Sequence, residues 1–185
     1  TAPLAARMRP HTFNELLGQE HIVGSDRVLR RSIEADQIPS IILWGPPGSG
    51  KTTLALVIAS VTQSHFEQVS AVTAGVADLR RIIQEAGDRL GMVNQRTILF
   101  IDEIHRFNKA QQDVILPPVE DGTIILIGAT TENPSFEVNA PLLSRCRVFT
   151  LNALTSEHVG NIVDRALADT ERGIGDIHAS LSQDA

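Results

Sequence analysis

Gly45-Pro46-Pro47-Gly48-Ser49-Gly50-Lys51-Thr52 restricts this chain more than any other segment, because it fits G-x-x-x-x-G-K-[ST] in the context that pattern requires. Ahead of it, Ile41-Ile42-Leu43-Trp44 is a short apolar run that reads as a buried strand entering a tight loop. Behind it, Leu54, Val57, Ile58 and Val61 recur at the spacing of one helix face. Strand, glycine loop and helix in that order form a phosphate cradle. The glycines let backbone N–H groups turn inward around phosphate oxygens, and the helix N-terminus adds a favourable dipole. In such a loop Lys51 reaches the β- and γ-phosphates and Thr52 ligates Mg²⁺. The competing reading is a glycine-rich turn of structural use only.

The rest of the chain repeats the design. Thr97 to Ile101 is an apolar run ending in Asp102-Glu103, and the run Ile124 to Gly128 ends in Ala129-Thr130-Thr131. A shorter strand is predicted at Arg147 to Leu151, after a helical turn near Leu142 and Leu143. Helices are predicted from about Asp26 to Ala35 and around Leu79 to Leu90, with Asp78 placed to cap the first turn of the second. Residues Pro3 to Gly24 lack clean periodicity and read as loops and short turns. Alternating strands and helices predict an α/β fold of the P-loop NTPase type, a parallel sheet with helices on both faces. From Thr155 the pattern changes to a helix stripe of Val159, Ile162, Val163, Ala166 and Leu167, with no strand-like run before Ala185. We therefore divide the chain into a nucleotide-binding core, residues 1–152, and a partial helical lid, residues 153–185.

Composition narrows the function class. With 185 residues, 42% of them hydrophobic and 21% charged, the chain can form one full core with an appendage. A net charge of −6 argues against a uniformly basic nucleic-acid surface, so any DNA contact is local or lies elsewhere. The single cysteine, Cys146, excludes an internal disulfide and fits a reducing, intracellular compartment. No apolar run reaches the roughly 18 residues of a membrane span, and Thr1 to Pro10 lacks the apolar middle of a signal peptide.

Three further groups carry candidate chemistry. Asp102 and Glu103 end a strand where acidic groups approach the metal of a P-loop site, Asp102 as a Mg²⁺ ligand through water and Glu103 as the general base for the attacking water. A solvated acidic pair is the alternative. Thr131 is favoured over Thr130 as a hydroxyl that senses the γ-phosphate, against a threonine that bonds its own backbone. Arg145 follows a short helix, poorly placed for its own nucleotide but able to reach a neighbour's. A surface ion pair is the plainer reading of that arginine, a small buried hydrophobe that of Cys146, and a solvated loop pair that of His105-Arg106.

These residues together resemble a known family. Pro3-Leu4 with Arg9-Pro10, Gly18-Gln19-Glu20-His21, Ile42 to Thr52, Leu99 to Asn108 and Gly128 to Phe136 (GATTENPSF) are similar to the AAA+ proteins called RarA or MgsA in bacteria. Their eukaryotic counterparts are the Werner-helicase-interacting ATPases and the yeast maintenance-of-genome-stability protein. Clamp-loader subunits and the RuvB branch-migration motor are the nearest alternatives, and IDEIHRFN followed by GATTENPSF tilts the resemblance toward the RarA-like proteins. The resemblance implies ATP or ADP and Mg²⁺ as cofactors, Arg145 as a finger acting in trans, and Arg9, Pro10, Ile22 and Val23 near the adenine. It also implies a homo-oligomer acting on forked, gapped or single-stranded DNA ends, with polymerase, clamp, helicase or single-strand-binding protein as partners. Its location would be the nucleus in a eukaryote and the cytoplasm or nucleoid in a bacterium. Pro118 departs from the pattern, since relatives tend to carry histidine there.

Three functions compete on this basis. The first is a DNA-dependent ATPase in fork maintenance, recombination or repair. The second is a clamp-loader-like or RuvB-like subunit that uses ATP to organise partners on DNA. The third is a small-molecule kinase, for which Asp102-Glu103 and Arg145 give no support.

Overall fold

In a computed structural model, which describes residues 2–182, the chain builds five parallel strands and the helices that cover them. In chain order the elements are α1 (Leu4–Arg7), α2 (Glu20–Val23), α3 (Val28–Glu34), β1 (Ile41–Trp44), α4 (Lys51–Val61), β2 (His65–Ser70), α5 (Val76–Val93), β3 (Thr97–Asp102), α6 (Lys109–Glu120), β4 (Ile125–Thr130), α7 (Pro134–Glu137), α8 (Ala140–Leu143), β5 (Arg147–Thr150) and α9 (Ser156–Ala168). The sheet order is β2-β3-β4-β1-β5, and every pairing is parallel.

Period-two alternation divides the core between the two faces of the sheet. Ile41, Leu43, Ile98, Phe100 and Ile127 point to one side, where they pack with Leu29 and Ile33 of α3 and Leu54, Val57 and Ile58 of α4. Ile42, Leu99, Ile101 and Leu126 point to the other, against Leu79, Ile82 and Ala86 of α5, Ile115 of α6 and Leu142 of α8. Both faces being buried explains why the central strands read as continuous apolar runs. Gly128 in β4 leaves room for the next layer: a Cβ there would lie 2.8 Å from Ile104 Cδ1.

Besides the short α7, two longer elements are not predicted from the sequence. β2 is an edge strand of sequence HFEQVS whose residues are mostly half-buried, so the polar residues on it mask the strand pattern. α6 contains Pro117 and Pro118 near its end, residues that normally argue against a helix. It forms because its start is well closed: Asn108 Oδ1 accepts the Gln111 N–H at 2.9 Å, and Gln111 Oε1 accepts the Asn108 N–H at 2.8 Å. The Pro117 carbonyl still accepts the Asp121 N–H at 3.0 Å. Pro118, the family departure, is buried in that last turn.

Smaller corrections follow from the same coordinates. Asp78 lies inside the first turn of α5, and its carboxylate accepts the Gly75 N–H at 3.0 Å, so it closes the helix start from the third position. Val61, counted on the buried face of α4, is the last residue of that helix and is exposed. On α9 only Ala166 of the apolar stripe is buried, while Val159 and Ile162 are exposed. No strand follows β5 among the described residues, and Ala185 lies outside them.

Candidate nucleotide site

The parallel register aligns the carboxyl ends of the strands on one edge. Trp44 is level with Thr130 on one side and Thr150 on the other, and Ser70 is level with Asp102. In open parallel sheets this is the edge where ligands bind, at the point where strand order reverses. Here β1 lies between β4 and β5, and the loop leaving it opens the site.

That loop is fixed by its glycines. Gly48 and Gly50 have φ of +75° and +96°, a left-handed region that costs other residues about 1–2 kcal/mol. A Cβ on Gly45 would meet the Leu151 carbonyl oxygen at 2.7 Å, so the loop can pass under β5 only with glycine there. The Gly45 N–H donates to Thr130 O at 3.1 Å and ties the loop to β4. Lys51 Nζ donates to Gly45 O and Pro46 O, both at 2.8 Å, and to Ser49 Oγ at 3.4 Å. Burial pushes the Lys51 ammonium below its usual range, and the Asp102 carboxylate opposes that shift.

A cleft of about 480 Å³ gathers Pro47, Gly48, Gly50, Lys51, Thr52, Asp102, Glu103 and Thr131, with Leu154 on its rim. Asp102 Oδ1 accepts the Glu103 N–H at 3.0 Å, and Glu103 takes a left-handed φ of +54° that turns the chain at the end of β3. The Glu103 carboxylate lies 3.9 Å from Arg106 Nε. The two threonines separate clearly. Thr130 is buried, with Oγ1 in contact with His105 Nδ1 at 3.0 Å and accepting the Glu132 N–H at 2.9 Å, while Thr131 is exposed on the cleft wall. His105 is thus half of a strand-end contact that its place in the sequence does not reveal.

The donor set suits a small hard cation. Among the described residues no cluster of three or more His, Cys, Asp or Glu side chains can hold a metal by itself. The cleft lining includes the Thr52 hydroxyl and the Asp102 carboxylate, oxygen donors of the kind that a hard cation such as Mg²⁺ takes beside phosphate oxygens and water.

A second cavity, about 270 Å³, shares Gly50, Thr53 and Leu154 with the cleft and continues between the N-terminal segment and α9. Arg9 and Pro10 line it with Met8, Leu16, Leu17 and Ile162. Ile22 and Val23 do not: they are buried in the core beneath α2, because the apolar side of that turn faces the sheet. Leu16 and Leu17 supply apolar side chains to that cavity. Arg145 is outside both cavities, about half exposed, with Nε donating to Glu120 Oε1 at 3.3 Å. Burial pushes the Cys146 thiol up to about 12, as for a packed side chain rather than a nucleophile.

Comparison with known proteins is consistent with this geometry. The family described as the Holliday junction DNA helicase RuvB P-loop domain matches residues 8–161. The chain is 53% identical over 173 residues to replication-associated recombination protein A of Escherichia coli K12, across 94% of this chain and 38% of that protein. It is 49% identical over 169 residues to the ATPase WRNIP1 of Dictyostelium discoideum, across 91% of this chain and 19% of that one. The solved Thermotoga maritima RuvB Holliday junction branch migration motor matches with a TM-score of 0.71 and 32% identity, over 88% of this chain and 54% of that one. The chain therefore spans less than half the length of the curated relatives described here.

Proposed function

The chain belongs to the RuvB P-loop-domain family, in the AAA+ group of replication-associated recombination protein A and WRNIP1, and from that premise we propose that it is the ATP-binding and ATP-hydrolysing core of a DNA-dependent ATPase. The work of that ATPase is replication-fork maintenance, recombination or repair. The observation that carries the proposal is the convergence of Lys51, Thr52, Asp102, Glu103 and Thr131 on one cleft at the carboxyl edge of the sheet.

In this reading ATP or ADP places its phosphates against the loop Gly45 to Thr52, and its adenine enters the apolar cavity beside Arg9 and Pro10. Thr52, and Asp102 through water, would hold Mg²⁺, which would offset phosphate charge when bound. Lys51 leaves the carbonyls of Gly45 and Pro46 for the β- and γ-phosphates. Glu103 accepts a proton as water oxygen bonds to the γ-phosphorus and the bond to the β–γ bridging oxygen breaks. Thr131 orients the water or the γ-phosphate. Arg145, presented away from its own cleft, acts on the nucleotide of a neighbouring copy.

The assembly is then a homo-oligomer. Residues 1–152 act as the core and residues 153–185 as part of a lid. Forked, gapped or end-bearing DNA is the effector, replication proteins are the partners, and the location is intracellular. Among the described residues no helix is long and apolar enough to cross a membrane. The likeness to the RuvB motor favours a second reading, an ATP-driven subunit that moves or organises partners on DNA. The test is the ATPase rate of the full-length protein against single-stranded, duplex, gapped and forked DNA. Equal rates with and without DNA would remove the DNA-dependent reading and leave the second one.

A further inference from the structure

Gln19 is absent from the chemistry above, yet it is one of the few buried polar side chains, with 2% of its surface exposed. Its amide is fully engaged. Nε2 donates to Ser49 O at 3.0 Å and to Asn152 O at 2.8 Å, and Oε1 accepts the Asn152 N–H at 3.1 Å. One side chain thus joins three parts of the chain: the N-terminal turn, the phosphate loop and the segment between β5 and α9. Its neighbours hold the same junction. His21 Nε2 lies 2.8 Å from Thr150 O, and Glu20 Oε1 accepts the Gly18 N–H at 3.1 Å. Gly18 has φ +83°, and a Cβ there would come within 3.0 Å of both His158 Nδ1 and Leu154 Cδ2. The turn therefore packs directly on the start of α9 as well.

The bond to Ser49 O matters because of peptide planarity. The Ser49 carbonyl and the Gly50 N–H belong to one rigid unit, so a change in where that N–H points also moves the oxygen Gln19 holds. Gly50 lies in the phosphate loop, where N–H groups turn toward anionic oxygens. An amide bonded at both ends passes this rotation to Asn152, and Leu154, two residues on, lines both the cleft and the adjoining cavity. We propose that Gln19 is a positioning residue that couples the phosphate loop to the orientation of the segment beginning at Asn152, so that nucleotide binding sets the angle of α9 against the sheet. This rests on the nucleotide reading above and adds to it a path by which occupancy becomes movement.

The test uses the full-length protein, with fluorophores on the exposed residues Met92 of α5 and Glu157 of α9. Energy transfer is followed as a slowly hydrolysed ATP analogue is added to wild type, Gln19→Met and Gln19→Asn. Gln19→Met keeps the bulk and removes the hydrogen bonds; Gln19→Asn keeps the amide but is too short to span both carbonyls and serves if the first variant does not fold. Because Gln19 also lines the cavity beside Arg9 and Pro10, transfer is read at saturating analogue; we expect loss of at least about half of the nucleotide-induced transfer change there, and kcat down about tenfold at saturating ATP. A full transfer change at saturation in a folded variant overturns the proposal, as does a KM increase of about tenfold with kcat intact, which would limit Gln19 to the wall of the pocket that it lines. If wild type binds the analogue and shifts transfer but never hydrolyses ATP, the ATPase reading fails while the transfer data still decide the coupling. A wild type that shows no transfer change, or binds no nucleotide, overturns the coupling outright.

Discussion

Arg145 meets Glu120 through Nε alone, at 3.3 Å, and its two terminal nitrogens make no hydrogen bond among the described residues. A guanidinium held by one edge keeps its fork free for a second anion. The surface ion pair is therefore present, and it leaves the fork open for the role in a neighbouring copy proposed above. For Arg145→Ala in the full-length protein we expect nucleotide binding to persist and kcat to fall by about 10³-fold, within the range measured for such fingers. The decisive measurement is mixing. Equimolar Arg145→Ala and Glu103→Gln subunits should recover activity that neither has alone, because some interfaces then pair an intact base with an intact finger. Failure to recover would place Arg145 in its own site or outside catalysis.

Glu103 separates binding from chemistry. It lies on the cleft wall without being tied into the phosphate loop, so replacing its carboxylate by an amide should leave the cradle intact. We expect Glu103→Gln to bind ATP with an affinity within about threefold of wild type and to hydrolyse it about 10²- to 10⁴-fold more slowly. Equilibrium binding of a fluorescent ATP analogue and single-turnover hydrolysis separate the two effects. A variant with wild-type turnover would remove Glu103 as the base.

The parts of this fold that were legible share one property: their residues act locally. The phosphate loop is contiguous, β3 and β4 carry their polar ends next to their apolar runs, and α4 begins within the motif itself. What stayed hidden depends on partners distant in the chain. β2 is a strand because β3 pairs with it, and α6 survives two prolines because Asn108 and Gln111 close its start. That Ile22 and Val23 are buried in the core is likewise a tertiary fact, since which side of a four-residue turn meets the sheet is not written in the turn itself. Gln19 stood in a motif that sequence reasoning had singled out; its partners, Ser49 and Asn152, are 30 and 133 residues away.

Gly128 offers a test of packing that does not depend on nucleotide. A methyl group there must displace Ile104, whose Cδ1 lies 2.8 Å and Cγ2 3.2 Å from the site of the added carbon, in a fully buried layer. Overpacking of this kind costs about 1–3 kcal/mol, so Gly128→Ala should lower Tm by roughly 2–10 °C for a chain of this size. Gly91, in the last turn of α5 with open space around it, is the matched control. Alanine there should add about 0.5–1 kcal/mol through helix propensity alone. Thermal melts of the two variants should therefore move in opposite directions, and equal shifts would mean that Ile104 relaxes away from the added carbon at little cost.

Cys146 follows Arg145 directly, and its chemistry can be checked without touching the nucleotide site. Its thiol is pushed up to about 12 by burial alone, and only the thiolate attacks an alkylating agent. At pH 8 the folded chain therefore carries about one thiolate in 10⁴, against roughly a quarter for a free thiol of ordinary pKa. We expect iodoacetamide at pH 8 to leave this cysteine unmodified over hours in the native protein and to alkylate it within minutes once denaturant exposes it. Peptide mass spectrometry at the Cys146 site reads both rates. Rapid native labelling would show that the α8–β5 junction opens readily, and it would place Arg145 on a locally unfolding segment instead of a packed one.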